Sequence, residues 1–177
     1  NGGKIMDLKD KIRIVENFPK EGISFKDITT LIHDGEALKY AINSIADNLR
    51  DKNLDFIVGP EARGFIFGVP VACVLGVGFI PVRKKGKLPC DTFEIVYDLE
   101  YGEDVLEIHR DALKNGSRVA IVDDLLATGG TIKAVTDLIE RAGGNVIELD
   151  FLIELEKIGG RNLLNGYEVK SLIKYDY

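Results

Sequence analysis

Apolar residues recur along the chain with two periods, and the two alternate. Leu8, Ile12 and Val15 share a helical spacing and predict a first amphipathic helix; Leu38, Ala41, Ile42, Ile45 and Leu49 predict a second, with Asp34 as its cap. Apolar runs at "LDFIV" (54–58), "VGFIPV" (77–82), "RVAIV" (118–122) and "NVIELDFLIEL" (145–155) read as buried strands. Between the last two, "TIKAVTDLIERAGG" puts Ile132, Val135 and Leu138 on one face and stops at Gly143. Strands separated by helices in this way predict an α/β fold, a central, mostly parallel sheet flanked by helices. "DTFEIVYDLEYGEDVLEIHRD" (91–111) breaks the rhythm: it alternates in period two around Gly102, as an antiparallel hairpin or mobile flap would.

"GFIFGVPVACVLGVGFIPV", Gly64 to Val82, carries no charge over nineteen residues and raises the question of a membrane helix. Its four glycines, the prolines at 70 and 81, and the "RKKGK" that follows favour a short buried helix, a glycine turn at 76–78 and a core strand. The length of 177 residues fits one domain, and 45% hydrophobic with 29% charged residues is the balance of an ordinary soluble globular protein. The start of the chain lacks the apolar segment of a signal peptide, and "NGGKI" before Met6 reads as a cloning remnant and is set aside. A net charge of -6 argues against broad nucleic-acid or membrane-surface binding, so any anion site must be local. Cys73 and Cys90 offer neither a disulfide framework nor metal-ligand spacing, which makes a reducing, cytoplasmic interior the expectation.

The candidate chemistry sits at the end of one strand. In "VAIVDDLLATGGT", Val119 to Thr131, two acids and a loop of small residues lead into a helix. In open parallel sheets, ligands bind beyond the carboxyl ends of strands. Backbone N–H groups of Ala127, Thr128, Gly129, Gly130 and Thr131, with the two threonine hydroxyls, can wrap an anion at the helix N-terminus. The loop has no lysine and matches neither G-x-x-x-x-G-K-[ST] nor G-x-G-x-x-G, so a monophosphate fits better than a nucleoside triphosphate or a dinucleotide. Asp123 and Asp124 beside it can accept from sugar hydroxyls or hold a hydrated magnesium ion. As solvent-facing acids in a ligand pocket they are expected to add little to folding. The plain alternative is that the acids cap the loop and the glycines turn it. Arg63, in a glycine-flanked loop after the 54–58 strand, can fork onto a diphosphate, with further charge from Arg83, Lys84 and Lys87. A salt bridge and a solvated basic turn are the bland readings of these cations.

"VAIVDDLLATGGT" resembles the phosphoribosyl pyrophosphate motif of type I phosphoribosyltransferases, in the form found in the adenine-using branch. The resemblance runs in order through "FPKEGISFKDITTL" (18–31), "GPEARGFIFG" (59–68), "RKKGKLP" (83–89) and "YDLEYGEDVLEIHRDAL" (97–113), covering nearly the whole chain from Asp7. It implies a single domain with a small N-terminal hood (18–31) and a flexible flap (85–103). The implied reaction joins adenine to 5-phosphoribosyl 1-pyrophosphate to give AMP and pyrophosphate in purine salvage, with magnesium held mainly by substrate and water and with Asp123 and Asp124 in its outer shell. The Glu61–Ala62 bond matches a cis peptide of the family.

By the same resemblance, Glu100 handles the proton that adenine loses, with Tyr101 near the ribose and leaving group. Phe25 and Leu125 sandwich the base, and the hood backbone around Ser24 and Lys26 reads its amino edge. Enzymes for 6-oxopurines carry an aspartate three residues after the second acid, where this chain has Ala127, which disfavours the neighbouring branch. A sensor that keeps the fold without turnover would need an added DNA-binding helix module. A receiver-like domain has no use for "ATGG". Departures from the common pattern are Lys26 for arginine, Glu61 for aspartate, and Cys90 after "GKLP"; lysine keeps the charge but loses the planar fork. A homodimer is implied, with Arg83 a candidate to reach across it.

Overall fold

A computed structural model of the chain describes residues 5–99 and 102–176. The chain enters through a 3-10 turn at Leu8–Lys11 and a two-stranded antiparallel ribbon, β1 (Arg13–Glu16) with β2 (Ser24–Asp27). Helices α1 (Thr29–His33) and α2 (Gly35–Leu49) follow, then β3 (Phe56–Pro60), α3 (Arg63–Leu75) and β4 (Gly78–Lys84). A hairpin of β5 (Thr92–Asp98) and β6 (Glu103–His109) leads to β7 (Arg118–Leu126), α4 (Gly130–Arg141), β8 (Asn145–Leu155) and β9 (Glu168–Tyr175).

The main sheet has the order β5-β6-β4-β3-β7-β8-β9. β4, β3, β7, β8 and β9 run parallel, and the hairpin adds two antiparallel strands at one edge through Arg83 opposite Glu107 and Lys84 opposite Leu106. The α/β expectation therefore holds. Side chains alternate across β7: Ala120 and Val122 face the core beneath α1, α2 and α3, while Val119 and Ile121 face the core beneath α4 and the hairpin. α2 starts where Asp34 caps it, its carboxylate accepting the N–H groups of Glu36 and Ala37 at 3.1 Å each.

Three elements differ from the sequence reading. Leu8, Ile12 and Val15 do not form a helix: Leu8 and Ile12 are buried, but the β-branched "RIV" stretch pairs with the hood strand, Val15 opposite Phe25. Three apolar residues at i, i+4 and i+7 fit a turn followed by a strand as well as a helix, and only the partner strand decides. β9, which the apolar runs left unassigned, pairs in parallel with β8 from Glu168 opposite Glu148 to Tyr175 opposite Leu155. α3 is 13 residues long with Pro70 inside it, and it is not wholly buried: Ile66, Val69 and Val74 stay exposed.

Candidate active site

β3 sends its crossover helix toward β4, whereas β7, its hydrogen-bonded neighbour, sends its helix toward β8. The sheet thus reverses direction of winding between β3 and β7, and a crevice opens at the carboxyl ends of these two strands. It holds a cleft of about 230 Å³ lined by Pro60 to Arg63 on one side and Asp123 to Gly129, Thr131 and Ile132 on the other. Both walls are strand ends followed by helix starts, so the N–H groups of α3 and α4 face the same space.

Gly129 takes φ 84°, the left-handed region, at the N-cap of α4. This turn points the loop's backbone inward without a side chain at its tightest point. Across the cleft, a Cβ on Gly64 would come within 2.9 Å of an Asp123 carboxylate oxygen, so the glycine lets that acid approach the first turn of α3.

Of the paired acids, Asp123 is partly exposed and lines the cleft, whereas Asp124 is buried rather than solvent-facing as expected. Asp124 is 4% exposed and its carboxylate lies 3.0 Å from Nε of Arg63, while Asp123 accepts the N–H of Asp124 at 2.8 Å. Burial, and then the neighbouring carboxylate, hold the Asp123 pKa well above the usual range. Burial also raises that of Asp124, against the pull of the Arg63 guanidinium. β7 runs on to Leu126, so both acids lie within the strand, Asp123 partly exposed and Asp124 buried.

The cations expected at the site are organised by one side chain that the sequence reading named only for its cis peptide and as a departure from the common pattern, not as a site residue. Glu61 lies 2.9 Å from Nζ of Lys87 and 3.4 Å from Nε of Arg83, and accepts the backbone N–H of Lys84 at 2.7 Å. Burial tends to raise its pKa, but Lys87 and the Lys84 N–H together bring it below the usual value. The N–H of Glu61 bonds to the Val82 carbonyl, which fixes this junction between β3 and β4. Its signal in the sequence is an acid in "GPEARG" that must answer "RKKGK". Lys84 turns its ammonium to Asp104 on the hairpin instead, at 2.9 Å, which raises the lysine's pKa. The Glu61–Ala62 peptide is cis, as the resemblance implied.

Residues 29–172 match the model of the phosphoribosyl transferase domain. The chain is 68% identical over 171 residues to the adenine phosphoribosyltransferase of Clostridium beijerinckii, covering 97% of this chain and 99% of that protein. It belongs to the adenine phosphoribosyltransferase family. Among solved structures, the Thermoanaerobacter pseudethanolicus adenine phosphoribosyltransferase is 54% identical with a TM-score of 0.91, covering 95% of this chain and 98% of that one. The Saccharomyces cerevisiae enzyme, solved with an imino-altritol bisphosphate and adenine, is 41% identical with a TM-score of 0.89 over 93% of this chain and 96% of that one.

Against the phosphoribosyltransferase pattern, the structure brings together Arg63, Asp123, Asp124, Leu125 and the loop from Ala127, with Arg83 and Lys87 joined through Glu61. Phe25, Ser24 and Lys26 do not line this cleft. They lie on β2, where Phe25 meets the ring of Phe18 edge-on at 5.2 Å and Ser24 donates to Glu16. Lys26 is 6% exposed, donating to the Ser24 hydroxyl at 2.8 Å with its ammonium 4.8 Å from the Tyr175 ring. Glu100 and Tyr101 lie outside the described residues. The hairpin that carries them closes with Leu99 N–H bonded to the Gly102 carbonyl at 2.8 Å. Tyr97, Asp98 and Leu99 share a second recess with Thr128, Gly130 and Thr131, so the hairpin end reaches the loop.

Proposed function

We propose that this protein transfers the 5-phosphoribosyl group from phosphoribosyl pyrophosphate to adenine, releasing pyrophosphate and forming AMP in purine salvage. The observation that carries this is the cleft at the β3/β7 reversal, where an anion loop, paired acids and a carboxylate-held cluster of cations meet. Membership of the adenine phosphoribosyltransferase family names the reaction.

In this reading Ala127 to Thr131 cradle the 5-phosphate through backbone N–H groups at the start of α4. Asp123 and Asp124 accept from the ribose hydroxyls. Loss of pyrophosphate leaves positive charge on the sugar and gathers negative charge on the leaving group, so the two ends of the cleft need opposite signs. Arg63, Arg83, Lys84 and Lys87 serve the diphosphate end. Glu61 keeps Arg83 and Lys87 in place until the diphosphate arrives. Phe25 and Leu125 hold the adenine ring, with the hood backbone at Ser24 and Lys26 reading its amino edge and Tyr101 beside the ribose; this requires the hood and the cleft to approach each other around the base. Glu100 takes or shares the proton that adenine gives up.

Two adjacent carboxylates, both with raised affinity for protons, suit a nearby cation. In this reading magnesium keeps its waters and substrate oxygens, with Asp123 and Asp124 in the outer shell. When bound, the ion would neutralise charge on the diphosphate.

The exposed face of α3, with Ile66, Val69 and Val74, supports a homodimer, since this helix starts at Arg63 and bears no charge beyond it. Such a contact borders the cleft and would bring the partner near the site, with Arg83 a candidate to cross. No helix among the described residues is long and apolar enough to cross a membrane, and the cytoplasm is the proposed compartment.

Assay of the purified protein with magnesium, phosphoribosyl pyrophosphate and each nucleobase tests the reading. Adenine is expected to be used at least about a hundredfold better in kcat/KM than hypoxanthine or guanine, because a 6-oxo group facing a backbone acceptor leaves buried polar groups unpaired. Comparable rates with hypoxanthine would overturn the adenine assignment.

A further inference from the structure

The anion loop rests on a second piece of backbone from a distant part of the chain. After β8, a 3-10 turn at Gly160–Leu164 packs against the loop. A Cβ on Gly160 would overlap the Ala127 carbonyl oxygen and lie 2.8 Å from the Gly129 nitrogen; a Cβ on Gly129 would overlap the Gly160 carbonyl oxygen in turn. Neither position has space for a side chain, and Gly160 is buried. The two backbones meet face to face.

The next residue ties this turn to the sheet. Arg161 forks onto Glu154, Nε to one carboxylate oxygen at 2.8 Å and a terminal nitrogen to the other at 2.5 Å, and its remaining nitrogen donates to the Val169 carbonyl on β9 at 2.8 Å. Ser171 donates its hydroxyl to the same carboxylate at 2.6 Å. Glu154 is 3% exposed, and its Cα pairs in register with Leu126, the last residue of β7. The clamp therefore stands beside the strand end from which the anion loop springs. The Arg161 fork, opposing burial, keeps the Glu154 pKa below the usual value, so the carboxylate is ionised at neutral pH.

We propose that Gly160, held by the Glu154–Arg161–Ser171 clamp, is a positioning element that sets the height of the loop's N–H groups against the 5-phosphate of substrate and product. None of the four residues lines the cleft. They act through the backbone of Ala127 to Gly129, where a displacement of a fraction of an ångström misaligns several donors at once. The inference rests on the reading of Ala127 to Thr131 as the phosphate cradle.

The test uses AMP and adenosine, which differ by that phosphate, titrated calorimetrically into the full chain. The unmodified protein is expected to bind AMP at least about tenfold more tightly than adenosine. Gly160→Ala is expected to remove most of that advantage while adenosine affinity stays within about twofold. Its KM for phosphoribosyl pyrophosphate should rise by about tenfold or more, with kcat at saturation within about threefold. Glu154→Gln, which keeps the shape but not the charge, is expected to reduce the AMP advantage by about threefold or more, and it decides the matter alone if Gly160→Ala does not fold. An AMP advantage unchanged in the folded variants, even with lowered Tm, would make the clamp a purely structural support and overturn the inference. An unmodified protein that binds AMP and adenosine equally would instead refute the phosphate-cradle reading, and the inference with it.

Discussion

Asp124 is a residue whose charge works against folding and, in the proposed reading, for binding. Its raised pKa means that the folded state disfavours the ionised form, even with Arg63 at 3.0 Å. Asp124→Asn therefore removes a destabilising charge as well as a functional acid. Use of phosphoribosyl pyrophosphate is expected to weaken by about tenfold or more in kcat/KM, while Tm stays at or above that of the unmodified protein. A variant that melts early yet turns over normally per folded molecule would return the acid to a structural role. Asp150 shows the same physics away from the cleft. It lies on β8, 1% exposed, accepting from Asn48 at 2.8 Å beside the buried Glu148, which pairs with Lys52 and Lys170. Burial first, and then Glu148, raise its pKa to about 8. An unfolded aspartate titrates near 3.9, so the folded state holds this proton more tightly; the resulting stability is full below about pH 4 and is lost as pH rises toward 8. Asp150→Asn stays neutral throughout. Urea unfolding at pH 5 and pH 9 should show the variant gaining on the unmodified protein by at least about 1 kcal/mol at the higher pH, and parallel curves would contradict the shift.

Elements set by local pattern were legible in the sequence, and elements set by distant partners were not. The Asp34 cap, the strand that carries the acids, and the Gly129 turn all announce themselves within a few residues. β1 was hidden because its apolar spacing fits two periods and its partner, β2, supplies the choice. Gly160 was hidden for the same reason, since only the loop from Ala127 explains why a side chain is forbidden there. The hairpin was legible as a period-two element, but how it is anchored was not. Phe93, Ile95 and Tyr97 pack into the core beneath α4, and Arg141 donates to the Glu94 carbonyl at 2.9 Å. A flap anchored along one strand opens at its ends, so within residues 85–103 free-protein proteolysis should concentrate at the turn before β5 and near residues 98–103. Phosphoribosyl pyrophosphate, magnesium and an unreactive adenine analogue should protect these sites together. Glu100→Gln should keep the protection and lose about a hundredfold or more in kcat, because an amide cannot take the proton. Equal cleavage with and without ligands would make the hairpin a fixed wall.

On the scale of the whole molecule, the net charge of -6 and the uncharged stretch of nineteen residues answer different demands. The charge keeps copies apart in general, and one surface is exempt from it. α3 buries Phe67 and Val71 against the sheet yet leaves Ile66, Val69 and Val74 at 36%, 42% and 41% exposure, with no charged neighbour on the helix after Arg63. A chain that exposed this face alone would carry the cost of apolar hydration beside its own active site. A second copy meeting the first through the same face buries both, and two-fold pairing needs only one such surface. Sedimentation should therefore give about twice the chain mass of 19.5 kDa. Val69→Asp places a charge at the centre of the face without touching the sheet, and it is expected to move the mass toward a single chain while the far-ultraviolet circular dichroism stays unchanged. If Arg83 reaches the partner's cleft, the monomeric variant should also raise KM for phosphoribosyl pyrophosphate, and recovery of that KM at high protein concentration would separate reassociation from local damage. A monomer at all concentrations in the unmodified protein would leave α3 without its proposed occupant.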